Sequence, residues 1–181
     1  MLPVVPPDWG GISFKIMNCC EEDMPMRMSC ASYFILAALS LPATALAGEQ
    51  VLEFKLVTKP IDVKISEVAN VEGQTVTSGK MFGVAFFKDG RIAVKDFVNS
   101  ADLLKGSGPI YGYSTYTFDD GSSITARYTG AIKDGRAKGE YTILSGTGAY
   151  ANATGTGGFE SVQSGFKGAG LYDGRFIVKT P

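Results

Sequence analysis

Gly139-Glu140-Tyr141-Thr142-Ile143-Leu144-Ser145-Gly146-Thr147-Gly148-Ala149-Tyr150-Ala151-Asn152-Ala153-Thr154-Gly155-Thr156-Gly157-Gly158-Phe159 is the stretch that decides the fold. It reads as a strand, a glycine-punctuated corner with one turn of helix, and a second strand. The glycines supply the positive φ that such a corner needs. The corner is not a phosphate cradle. Gly146-Thr147-Gly148 lacks the lysine and following helix of a P-loop, and it does not open a βαβ unit.

Outward from this stretch the pattern stays β. Leu52, Phe54 and Leu56 alternate with Glu53 and Lys55, a period of two. Pro60 interrupts that run, and Ile61 to Ile65 alternates again as a short second strand. Lys80 to Phe87 and Arg91 to Val98 flank the hairpin signal Lys88-Asp89-Gly90. Asn99 to Gly108 reads as the longest loop. Ile110 to Phe118 and Ser123 to Ile132 flank Asp119-Asp120-Gly121, and Lys133-Asp134-Gly135 leads into the opening stretch. Gly155 to Ser164 leaves it, and Gly168 to Lys179 is the last strand. Asp-Gly turns at hairpin spacing predict an antiparallel meander. About eight strands without a long amphipathic helix predict closure, because closure removes sheet edges. The expected fold is therefore all-β, a closed eight-stranded antiparallel barrel of calycin-like form. A barrel of that size is filled by side chains or holds one small ligand.

The 181 residues do not all belong to this barrel. Arg27, an apolar run from Tyr33 to Leu41, and Ala45-Leu46-Ala47 ahead of Gly48 have the parts of an export signal over residues 28–47. Residues 1–27 read as an upstream extension, with Met26 or Met28 as the plausible initiator. The expectation is one domain over 48–181, exported to the periplasm or beyond, with no membrane anchor once the signal is removed.

Composition narrows the chemistry. The chain has no histidine, and its three cysteines, Cys19, Cys20 and Cys30, precede Gly48. The predicted barrel therefore has no Ser-His-Asp or Cys-His machinery, no Cys/His metal site and no disulfide framework. Acid–base work is left to Asp, Glu, Tyr or Lys. Positive and negative residues are interspersed without a basic run, which argues against nucleic acid as partner. No cofactor is expected.

The pattern from Tyr141 to Gly155, with its Gly-Thr-Gly, the aromatic Tyr150 two residues on, then a small residue and a glycine, resembles the barrel signature shared by plant dirigent proteins and allene oxide cyclases. The resemblance covers most of 48–181 and implies a homotrimer. Dirigent proteins carry an arginine where this chain has Thr154. The first strand of allene oxide cyclases carries a glutamate thought to steady positive charge during ring closure, and an asparagine two residues on. The similar segment here puts Glu53 at the glutamate and Lys55 at the asparagine.

Candidate site residues follow. Glu53 would be catalytic if Leu52, Phe54 and Leu56 faced outward into a subunit contact. With those three in the core, the default for a half-buried strand, Glu53 is an ordinary solvated residue. Tyr111, Tyr113, Tyr116 and Tyr128 lie on adjacent strands, and one face of the set could orient a ligand; barrel packing or a subunit contact would use tyrosine equally well. Arg127, if inward, needs an anionic partner such as Glu53, Asp96 or a ligand carboxylate. Two functions fit. One is a binding barrel for a small apolar or aromatic molecule, with cyclase- or isomerase-like activity through holding a conformer. The other is a structural or interaction barrel filled by its own side chains.

Overall fold

The computed structural model describes residues 48–181. The expected extension and export signal lie outside the described residues. Eight antiparallel strands follow one another around a closed barrel: β1 (Gly48–Glu67), β2 (Gln74–Phe87), β3 (Ile92–Leu104), β4 (Gly108–Phe118), β5 (Ser123–Lys133), β6 (Arg136–Thr147), β7 (Thr154–Val162) and β8 (Gly170–Thr180). β8 pairs back onto β1, from Gly48 opposite Thr180 to Thr58 opposite Gly170, and so closes the sheet. The all-β closed barrel expected from the sequence is the fold observed.

The three Asp-Gly hairpins form where they were expected. In the β5–β6 turn both Asp134 (φ 51) and Gly135 (φ 75) are left-handed between the paired Lys133 and Arg136. This is the two-residue turn whose twist matches that of the strands. The Gly-Thr-Gly corner also holds its single helical turn, Gly148–Tyr150, between β6 and β7. That turn drives Tyr150 into the barrel end, where its ring lies 5.1 Å from Phe118.

Two expectations about segments change. Residues 61–65 are not a separate strand. They continue β1, because the ladder slips register between Pro60 and Asp62 and so absorbs the proline's missing N–H at a bulge. Nor is 99–108 a long loop. Residues 99–104 extend β3, pairing from Asn99 opposite Gly79 to Leu104 opposite Gln74. They keep the alternation of the strand, with Asn99, Ala101 and Leu103 on the inner face and Ser100, Asp102 and Leu104 on the outer. The break is confined to residues 105–107.

Inside the barrel, large rings lie over residues with no side chain. A Cβ on Gly174 would come within 2.5 Å of the Phe54 ring. One on Gly139 would come within 2.6 Å of the Phe159 ring. Each glycine thus makes room for an aromatic from the adjacent strand. Phe54, Phe87, Tyr116, Tyr141 and Phe176 interlock this way, with Phe54 centred 5.1 Å from Phe87 and 5.2 Å from Phe176. Tilted and edge-on contacts of this kind add to the area that the rings bury.

Candidate functional site

The interior differs between its two ends. At the end carrying the β2–β3 and β4–β5 turns, Phe87, Phe118 and Tyr150 fill the barrel. Arg91 caps them. Its guanidinium lies 5.2 Å from the centre of the Phe118 ring, donates to the Tyr150 hydroxyl, and is held by Asp89 at 2.6 Å. At the opposite end, by the β3–β4 and β5–β6 turns, a cavity of about 180 Å³ enters the barrel. Leu56, Met81, Phe97, Ile110, Ile132, Ala137 and Phe159 make its walls apolar, and Thr58, Asn99, Tyr128, Tyr141 and Tyr172 add polar groups.

Lys95 also lines this cavity. Hairpin register places it there: β3 pairs Ala93 with the buried Ala85 and Lys95 with Gly83, so Lys95 shares the inner face. It is 4% exposed and is the only buried charged side chain among the described residues. No ion pair among the described residues involves it. Its Nζ lies 3.2 Å from the Tyr141 hydroxyl, which lies 3.0 Å from the Tyr116 hydroxyl. Four rings surround the amine: Phe97 at 4.2 Å, and Tyr116, Tyr141 and Tyr128 at 5.2, 5.4 and 5.6 Å from their centroids. Ring faces attract a cation, but they do not replace water around it. Burial pushes the Lys95 pKa down to about 7. Burial pushes the Tyr116, Tyr128 and Tyr141 hydroxyls up, so they hold their protons at neutral pH. The Tyr128 hydroxyl donates to Asn99 Oδ1 at 2.8 Å at the cavity wall.

Of the residues singled out in the sequence, Tyr116 and Tyr128 come together around Lys95 and the others lie elsewhere. Leu52, Phe54 and Leu56 take the inner face of β1. Glu53 is therefore on the outer wall, and the inward orientation that catalysis required is not the one the strand adopts. It pairs with Lys88, whose hydrogen bond and charge hold the carboxyl below its ordinary range. Around it is an open depression whose lining includes the charged Lys138, Asp173 and Arg175. Lys55 is also outside, bonded to Asp173 at 2.7 Å. Tyr111 and Tyr113 are 55% and 51% exposed, because β4 turns Ile110, Gly112, Ser114 and Tyr116 inward instead. Arg127 is exposed opposite Tyr113 and so needs no buried partner. Of the candidate ligand residues, Tyr116 and Tyr128 are interior, and Tyr111, Tyr113 and Arg127 are not. Lys95 and Tyr141 were missed. Tyr141 had a signal in parity, since it shares a face with Ile143, whereas the two faces of the Lys95 strand are nearly equal in apolar character.

Among the described residues, no cluster of three or more His, Cys, Asp or Glu is placed to hold a metal. No helix there is long and apolar enough to cross a membrane.

In sequence the chain matches no family model and no curated protein. In structure it resembles the pterocarpan synthase dirigent protein GePTS1, with a TM-score of 0.52 and 16% identity over 82% of this chain and 98% of that one. It also resembles the pterocarpan synthase dirigent protein PsPTS1, with a TM-score of 0.51 and 15% identity over 73% of this chain and 95% of that one. A third match is a protein of unknown function from the DUF3224 family of Shewanella oneidensis MR-1, with a TM-score of 0.41 and 19% identity over 71% of this chain and 98% of that one. The chain has a dirigent-like barrel fold.

Proposed function

We propose that this barrel binds one small apolar or aromatic molecule in its open end, with Lys95 and the tyrosine hydroxyls giving the polar contacts. One observation carries the reading. A barrel filled for its own stability has no use for an unpaired buried lysine, which costs several kcal/mol of desolvation. Here that lysine borders a cavity of about 180 Å³ with mostly apolar walls. Such walls with a few convergent polar groups are the usual form of a ligand site. A dry cavity of about 150 Å³ accepts one benzene ring, so a single ring with a short substituent is the right scale. Walls that close around a ligand hold it in one conformer, which is what cyclase- or isomerase-type turnover requires. The barrels it resembles carry the name pterocarpan synthase, in keeping with an interior that does chemistry. We extend the reading to an exported protein that works as a homotrimer.

Titration calorimetry with benzyl alcohol tests the cavity. One saturable site per chain is expected, and Ala137→Leu, which fills the cavity from its wall, should abolish it with the circular dichroism unchanged. Equal binding by the filled variant would remove the cavity as the site and leave the structural barrel as the better reading.

A further inference from the structure

We propose that Lys95 forms an imine with a small aromatic aldehyde or ketone inside the cavity, so that the barrel captures carbonyl compounds covalently. This rests on the cavity being the ligand site, and it names the ligand class.

The geometry assembles what imine formation needs. The amine is at the cavity lining, so a carbonyl carbon can approach it from the open end. The Tyr141 hydroxyl, 3.2 Å from Nζ, can pass a proton between nitrogen and oxygen, and Tyr116 supports it from 3.0 Å. No carboxylate holds the amine's proton, since no ion pair among the described residues includes Lys95. Desolvation with a pKa of about 7 leaves roughly half of the Lys95 side chains as free amine at neutral pH. An ordinary lysine near 10.4 leaves about one in a few thousand. Desolvated lysines in apolar pockets are the usual amine nucleophiles.

The step balances without a further reactant. The nitrogen lone pair bonds to the carbonyl carbon, and the C=O π pair moves to oxygen. One N–H proton passes to that oxygen, giving a carbinolamine. The C–O bond then breaks, the C=N bond forms, and the second N–H proton leaves with the oxygen as water. Amine and carbonyl become imine and one water, with no change of oxidation state. The same four rings that flank Nζ flank the imine, and they favour it further if it is protonated.

Reductive trapping tests this. The folded chain is incubated at pH 7 with benzaldehyde and cyanoborohydride, then digested and mapped by mass spectrometry. A benzyl adduct at Lys95 is expected, forming on the order of a thousandfold faster than on a lysine of ordinary pKa, given the difference in free amine. Excess benzyl alcohol should suppress it, and Lys95→Arg and Lys95→Met should lack it. Mapping the unmodified chain keeps the test decisive even if a variant folds poorly. Adducts confined to exposed lysines, while benzyl alcohol still fills the cavity, would overturn the imine and leave the cavity reading intact. Failure of benzyl alcohol to bind as well would overturn both. Benzoate binding at least about tenfold more tightly than benzyl alcohol, without any trapped adduct, would point to ion pairing and also overturn the imine.

Discussion

Lys95 sets a pH dependence that its neighbours let us sign. Its folded pKa is about 7, below the unfolded value near 10.4. Between those values the unfolded chain holds a proton that the folded chain does not. Stability therefore rises with pH across that window, and below pH 7 the full burial penalty stands. The titratable groups packed around the amine are Tyr116 on β4, Tyr128 on β5 and Tyr141 on β6, all raised by burial. They stay protonated through the window. Above pH 10 they act oppositely, because the unfolded tyrosines ionise first, so stability falls again. Lys95→Met keeps the volume and the Tyr116–Tyr141 hydrogen bond while removing the amine. It should stabilise the protein at pH 6 by on the order of 1–3 kcal/mol and flatten the rise between pH 7 and 10. Thermal unfolding of both proteins at pH 6, 8 and 9.5 checks this; parallel profiles would refute a buried titrating Lys95. In the sequence this residue could not be told from a surface lysine. Ala93, Lys95 and Phe97 face Val94, Asp96 and Val98 in near balance, and only the register with Ala85 breaks the tie.

At the scale of the strands, hairpins were legible because Asp-Gly pairs state their own geometry. Orientation was less so, because the inner face of β4 carries Gly112 and Ser114 while the outer face shows Tyr111 and Tyr113. An interior built from rings over glycines reads as the less apolar side. Gly174 gives a direct test. Its missing Cβ meets the Phe54 ring at 2.5 Å, and its three nearest neighbours all belong to that ring. Gly174→Ala should cost about 1–3 kcal/mol through overpacking. Phe54→Leu shortens the opposing ring and should absorb part of that cost. Urea unfolding of the double-mutant cycle should show a favourable coupling of about 0.5–3 kcal/mol. Strict additivity would mean that the ring does not occupy the space above Gly174.

For the whole molecule, closure accounts for the inner face but leaves the outer face of β1–β3 unexplained. Val57 pairs with Val84, Val84 with Val94, and Phe86 with Ile92, so these residues form one apolar strip. Val57, Phe86, Ile92 and Val94 are 40%, 49%, 47% and 38% exposed. A continuous strip of this kind is the usual mark of a contact surface. The trimer proposed above would supply an occupant, namely further copies of the same chain. Light scattering on residues 48–181 should give three chains per particle. Phe86→Lys with Val94→Lys should give a monomer of unchanged circular dichroism, because both side chains point away from the core. None of the strip residues lines the cavity, so that monomer should still bind benzyl alcohol. A wild-type monomer at high concentration would refute the trimer, while loss of cavity binding on dissociation would mean that neighbouring subunits shape the site.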